Sequence, residues 1–195
     1  MSSKWTGIFI FLLLVSFNAH DAYSDEMEIK FKEIGNQIQG DLKTEQQIEE
    51  EVHFKGKTYT QSDVEKIKIA ERRLKKCKNE LRDLIKKYPR SIWADDAQYM
   101  ITTLEAGDIK QQVLDLEYLL KEYPDMQLEE WTRKTIIAPN PSMSFKYIIM
   151  SELCLNYDEL GETEKLKHMC EEAIKEYPDK AVFKKLLQKT ATSSK

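Results

Sequence analysis

The chain of 195 residues is poor in glycine, proline and cysteine, with six, five and three residues respectively. So few turn-forming residues argue against an all-β domain and favour a helical one. Three cysteines, Cys77, Cys154 and Cys170, cannot all pair within one chain, so a disulfide framework is not indicated. We expect three free thiols. Cys154 and Cys170 fall on two helices of one predicted hairpin, but with a register offset of about one turn that keeps them apart.

Signatures of catalysis and metal binding are also missing. The sequence contains no CxxC, CxxCH, HExxH or GxSxG motif and no glycine-rich phosphate loop. His168 and Cys170 are two residues apart on a predicted helix and therefore face different ways. The acidic pairs Asp95-Asp96 and Glu129-Glu130 are interpreted as solvated helix faces. We therefore predict no catalytic residue, no metal site and no cofactor.

Charge of one sign is not concentrated anywhere. The net charge is −4, and the acidic and basic residues, 33% of the chain, are interspersed. Without a basic stripe, nucleic acid is not an expected partner.

The first 24 residues have the pattern of a cleavable signal peptide. Lys4 precedes an apolar run over 7–17, and Ala22 and Ser24 supply the small residues before a cleavage site. As a helix this run would span about 17 Å, against about 30 Å for the hydrocarbon core of a bilayer. We predict export to the periplasm or an equivalent compartment, with no stable membrane span after cleavage. An uncleaved N-terminal anchor is the alternative.

Residues 25–60 are predicted as an N-terminal arm or lead-in. Met27, Ile29 and Phe31 alternate with polar residues, which is strand periodicity and predicts a small β-element, and Gly56 is placed in a short hairpin. The Gln/Glu-rich stretch between them is compatible with a short helix. Ile29 and Phe31 would contact a partner if the arm becomes ordered on binding. The alternative is a poorly ordered lead-in.

Nearly the same hexapeptide occurs three times: "LIKKYP" at 84–89, "LLKEYP" at 119–124 and "AIKEYP" at 173–178. Each copy ends a segment with helical apolar spacing, and its proline stops the helix. Their separations are 35 and 54 residues, one period of about 34 residues and one period with an insertion. Helices are predicted over 62–88, 91–105, 109–123, 147–157, 163–177 and 180–190. Ser62 and Glu65 predict the first N-terminal capping box.

These patterns predict an all-α fold. Residues 61–190 are predicted to form a short α-solenoid of helical hairpins with a capping helix at its end, and residues 191–195 a disordered tail. The segment "YDELGETEKLKHMCEEAIKEYP" (157–178) resembles the tetratricopeptide-repeat (TPR) family. "LIKKYPRSIWADDAQYM" is similar to repeats of exported bacterial proteins, the outer-membrane assembly lipoproteins and the Tol–Pal coordinator. Gln112 departs from the small residue that this family prefers.

An insertion over 125–144 interrupts the repeats. It carries Trp131, then Ile136 and Ile137 before a proline-containing loop. These side chains either recognise a partner or fold back over a repeat junction.

The resemblance implies a role in binding other proteins. We expect an exported scaffold, an adaptor or an assembly subunit of a larger complex, or a self-associating protein, without catalysis of its own. The alternative is a thiol-based redox or metal-responsive protein that uses Cys77, Cys154 and Cys170.

Overall fold

The computed structural model describes the backbone of residues 4–105, 107–135 and 144–193. Within these ranges the fold is all-α, as predicted, and no strand occurs. The eight helices of the described residues are α1 (Lys4–His53), α2 (Gln61–Lys87), α3 (Ala94–Thr103), α4 (Ile109–Glu122), α5 (Glu130–Thr135), α6 (Phe145–Leu160), α7 (Thr163–Glu176) and α8 (Ala181–Ser193). They belong to two compact units, Met1–Ala94 and Asp95–Lys195.

In the first unit, α1 packs against α2. The strand predicted around residues 27–31 is wrong, because these residues lie within α1. The buried apolar side chains in this part of α1 recur at helical spacing. They are Met27, Phe31, Ile34 and Ile38. Ile29, the middle residue of the apparent alternation, is 58% exposed. Over five residues the apolar positions fit both the strand period of two and the helical period. The longer apolar stripe along α1 shows that the helical period is correct.

Polar contacts join α1 to α2 around this apolar seam. Lys87 Nζ lies 3.0 Å from Glu26 Oε1, and Arg73 contacts the buried carboxylate of Asp41 at 3.5 Å. Hydrogen bonds from Tyr88 and then Lys87 lower the pKa of Glu26 to about 2. The aromatic rings of Phe31 and Trp93 are 5.3 Å apart. The seam is therefore apolar at its centre and ionic at its edge.

The turn between α1 and α2 replaces the predicted hairpin. Gly56 has a φ of 64°, a conformation that costs glycine least. Thr60, not Ser62, is the N-cap of α2: its hydroxyl accepts from the backbone N–H of Asp63 (3.2 Å), and the Asp63 carboxylate accepts from the N–H of Thr60 (3.0 Å). The capping box exists, but it begins two residues before the predicted one.

The three hexapeptides adopt one local structure. Tyr88, Tyr123 and Tyr177 are the C-caps of α2, α4 and α7, with φ between −126° and −129° and ψ between 57° and 65°. Each tyrosine N–H donates to the carbonyl four residues earlier, at 2.8–3.0 Å. The following proline forces its neighbour out of the helical region, so the helix stops at the same point each time. The prediction that the motif ends a helix is confirmed at all three sites.

The second unit has one continuous core. In it α6 packs on α4, α7 and α8, and α7 packs on α8. Tyr147 of α6 makes edge-on contacts with Tyr177 (5.4 Å) and Phe183 (5.5 Å), which joins the last three helices. The buried members of this core are Tyr99, Val113, Leu116, Leu119, Met126, Leu128, Phe145, Ile148, Ile149, Met150, Leu153, Cys154, Tyr157, Leu166, Cys170, Ala173 and Phe183.

Asp95 and Asp96 are not solvated, contrary to the sequence-based interpretation. They lie in the first turn of α3, are only 7% and 0% exposed, and accept hydrogen bonds from the backbone of the segment after α4. Asp95 Oδ2 accepts from the N–H of Gln127 (3.1 Å), and Asp96 Oδ1 from that of Glu129 (3.2 Å). Burial raises the pKa of Asp96 to about 8. This pair fixes the course of the chain between α4 and α5.

The three cysteines are free thiols, as predicted, but the expected separation of Cys154 and Cys170 is wrong. Their sulfur atoms are 3.5 Å apart and both residues are completely buried. The turn between the two helices lies at Gly161 and Glu162, which brings the registers of Cys154 and Cys170 close to each other. Side chains on a helix also lean towards its N-terminus. The Cys154 side chain on α6 therefore leans away from the turn, and the Cys170 side chain on α7 leans towards it. The two thiols meet as a result.

Candidate functional site

A polar cleft opens between α3, α4 and α6 in the second unit. Its volume is about 330 Å³, and its walls combine hydroxyl, carboxamide and carboxylate groups over an apolar floor. The lining residues are Thr102, Thr103, Gln112, Leu116, Glu152 and Asn156. Gln112 and Leu116 are one turn apart on α4, and so are Glu152 and Asn156 on α6, so each helix presents one face to the cleft.

The two threonines and the leucine build the cleft and are already satisfied. The Thr102 hydroxyl donates to the Gln98 carbonyl (3.1 Å), and the Thr103 hydroxyl to the Met100 carbonyl (2.8 Å). Leu116 is 1% exposed and belongs to the core. The groups with capacity left for a ligand are therefore on α4 and α6.

Glu152 is the only ionisable group in this lining. The Tyr99 hydroxyl donates to its Oε1 (2.9 Å), and the Tyr99 ring is itself held edge-on against Phe145 at 4.9 Å. Burial raises the pKa of Glu152, although the bond from Tyr99 opposes that shift. Among the side chains that the structure describes, no basic group forms an ion pair with this carboxylate. The carboxylate is oriented, partly desolvated and uncompensated.

Gln112 and Asn156 bring two carboxamides to the same cleft. Both are half-buried, and within the described ranges neither side chain has a hydrogen-bond partner in the protein. A carboxamide both donates and accepts, as a peptide unit does. Two of them beside a carboxylate form a surface suited to an extended backbone with a nearby cation.

No family model, curated protein or solved structure matches this chain. The cleft therefore has to be interpreted from its own chemistry. In the described part of the chain, no group of three or more His, Cys, Asp or Glu residues could hold a metal ion. Among the same residues, no helix is both long enough and apolar enough to cross a bilayer.

The contact residues predicted from sequence are divided between the two compact units. Trp131 is half-buried on α5, and Ile136 and Ile137 lie outside the described residues. Phe31 is completely buried against Trp93, so it could meet a partner only if α1 and α2 separated. Ile29 alone is well exposed. A partner surface made of these residues stays a prediction.

The described beginning of the insertion folds back onto the second unit. Met126 and Leu128 belong to its core, and Thr132 on α5 is completely buried. Together with the hydrogen bonds to Asp95 and Asp96, this packing holds residues 126–132 on the second unit. Whether Trp131, Ile136 and Ile137 cover a repeat junction stays a prediction.

Sequence reasoning did not find the cleft. In the sequence Gln112 stands out only as a departure from a small residue in the resembling family, and that departure was the available signal. Glu152 and Asn156 carry no motif. They face the cleft because α6 packs on α4 with this side of the helix turned towards it, which no local pattern encodes.

Proposed function

We propose that this protein is an exported interaction scaffold, an adaptor or assembly subunit that binds other proteins in the periplasm or an equivalent compartment and performs no catalysis itself. The cleft between α3, α4 and α6 is the proposed binding site. The observation that carries the proposal is the pair of unpartnered carboxamides, Gln112 and Asn156, next to the uncompensated carboxylate of Glu152.

The ligand that fits this chemistry is an extended peptide segment of a partner. Its backbone N–H and C=O groups pair with the two carboxamides, and a lysine or arginine side chain lies beside Glu152. A cation beside Glu152 offsets the free-energy cost of burying its carboxylate. The helical-repeat resemblance supports the same interpretation, since such folds bind peptides on faces of stacked helices.

The thiol-based alternative lacks an accessible thiol in the native fold. Cys77, Cys154 and Cys170 are each 0% exposed, and burial is the main reason that the pKa of Cys77 is raised. A sensor cysteine is normally accessible to its oxidant. We therefore favour binding over sensing.

The test is capture of partners from the native exported fraction with the tagged full chain, compared between matched variants. Gln112→Ala combined with Asn156→Ala should lose a stoichiometric partner that the unmodified chain retains. The control pair, Asn79→Ala with Gln188→Ala, removes the same two chemical groups from exposed positions on α2 and α8 and should retain it. Equal capture by both double variants would refute the cleft as the site, and a lone unmodified chain would refute the scaffold.

A further inference from the structure

The hydrogen-bonded thiols of Cys154 and Cys170 connect two helices at the centre of the second unit. Cys154 lies on α6 and Cys170 on α7, and their sulfurs are 3.5 Å apart, close to van der Waals contact. A disulfide needs about 2.05 Å between the two sulfurs, so they have to approach each other by roughly 1.5 Å. Cys77 is on α2, in the other compact unit.

We propose that Cys154 and Cys170 are a disulfide site that, once oxidised, joins α6 to α7 and leaves Cys77 as a free thiol. The pair is a modification site built into the core. The odd number of cysteines is then accounted for, with one bond and one buried thiol. The proposal does not depend on the cleft or on the identity of a partner.

A hydrogen bond of 3.5 Å between Cys170 Sγ and Cys154 Sγ couples the two thiols. Together with burial, this bond raises the pKa of Cys154, while it lowers the pKa of Cys170. Because the thiolate is the attacking form, the reaction begins when one of the two sulfurs loses its proton.

The oxidant is a small-molecule disulfide such as oxidised glutathione. The thiolate of one cysteine of the pair attacks one sulfur of this disulfide, breaks its S–S bond and releases one thiolate. The other cysteine then loses its proton and attacks Sγ of the first, which forms the bond between Cys154 and Cys170 and releases the second thiolate. The protein loses two electrons and two protons, and one disulfide is reduced to two thiols.

The burial of the pair limits how fast it is oxidised, but not which disulfide forms. Both sulfurs are completely buried, so oxidation needs a local opening of α7 from α6. The helix that caps α7 is α8, which packs on both of them. Once formed, the bond opposes that same opening. The predicted export would place the pair in a compartment where a disulfide persists.

The test oxidises the reduced, folded full chain with oxidised glutathione and follows it by mass spectrometry after denaturing alkylation. We expect a product that lacks two hydrogen atoms and carries one alkylated cysteine. Peptide mapping should place the bond between Cys154 and Cys170 and the alkyl group on Cys77. The same reaction in denaturant, where all three thiols are accessible, should give products that involve Cys77.

Three results would overturn the proposal: a bond that includes Cys77 in the folded chain, a lasting mixed disulfide with glutathione on one cysteine, or three free thiols after an incubation that oxidises the denatured chain. Cys77→Ala, as the control variant, should give the same bond. Cys154→Ala should stop at a mixed disulfide on Cys170. The unmodified chain alone decides the question if either variant fails to fold.

A second measurement separates a bond that fits the fold from one that distorts it. The closed loop is short, and loop closure of this length predicts a thermal midpoint at least about 5 °C higher for the oxidised chain. A reducing agent should reverse the shift. An oxidised chain that melts at a lower temperature than the reduced one would contradict the geometry on which the proposal rests.

Discussion

Replacing the buried Asp96 by asparagine should make the second unit more stable at alkaline pH. Asp96 is 0% exposed, and its carboxyl accepts from the backbone N–H of Glu129. The introduced carboxamide would keep an oxygen for this bond and could donate to Asp95, with which Asp96 shares a side-chain hydrogen bond. The substitution removes mainly the cost of ionising a buried carboxyl.

The pKa of Asp96 sets the direction and the size of the effect. Burial raises it from 3.8 to about 8, so between these two pH values the folded chain holds a proton that the unfolded chain has released. The free energy of unfolding therefore falls as the pH rises through this window. At roughly 1.4 kcal/mol per pH unit the ceiling is about 6 kcal/mol. Since Asp95 titrates with Asp96, we expect roughly 2–4 kcal/mol between pH 5 and pH 9.

The assay is urea unfolding of the unmodified chain and of Asp96→Asn at several pH values from 5 to 9. The two should have similar free energies of unfolding at pH 5, and the variant should be more stable at pH 9. Asp179→Asn, which removes an exposed carboxylate, should follow the unmodified chain throughout. If Asp96→Asn kept the full pH dependence of the unmodified chain, Asp96 would not be the group responsible and the reasoning from burial would be wrong.

Three further predictions concern the first unit. Phe31→Ala should lower the free energy of unfolding by roughly 3–4 kcal/mol, because the ring is completely buried. Ile29→Ala, at an exposed position, should change it by less than about 0.5 kcal/mol. Urea unfolding compares the two variants, and equal effects would contradict the helical register of α1. Thr60→Ala removes the N-cap of α2 and should lower the free energy of unfolding by about 1 kcal/mol in the same assay. An unchanged urea midpoint would mean that the cap is not formed. The carboxyl carbon of Glu26 should titrate near pH 2 by NMR, so its contribution to stability is lost progressively as the pH falls from 4.5 to about 2. A midpoint at 4.5 would show that the contacts with Tyr88 and Lys87 are absent in solution.

Local pattern determined the secondary structure of most of the chain. The three Tyr-Pro positions end α2, α4 and α7 as predicted, because a proline restricts the residue before it whatever surrounds the helix. The apolar stripes of α4, α6 and α7 were also readable, since a buried helical face must repeat every three or four residues. Val182 and Leu186 lie on α8, which corresponds to the helix predicted over 180–190, and both pack against the core.

Residues 27–31 show where local pattern is ambiguous. Met27 and Phe31 satisfy a strand period of two and a helix period of four equally well. Only Ile34 and Ile38, further along, distinguish the two, and in the structure these side chains are buried on the helix that packs against α2. The choice between strand and helix depended on the apolar face from Met27 to Ile38, which is longer than the five residues that suggested a strand.

The sequence alone determined that the chain is helical and where several of its helices stop, because these properties depend on residues within a few positions of one another. Tertiary packing decided everything that carries chemistry: the burial of Asp95 and Asp96, the meeting of Cys154 with Cys170, and the cleft around Glu152. Each of these depends on which face one helix turns to another and on small differences in register, and residues distant in sequence set both.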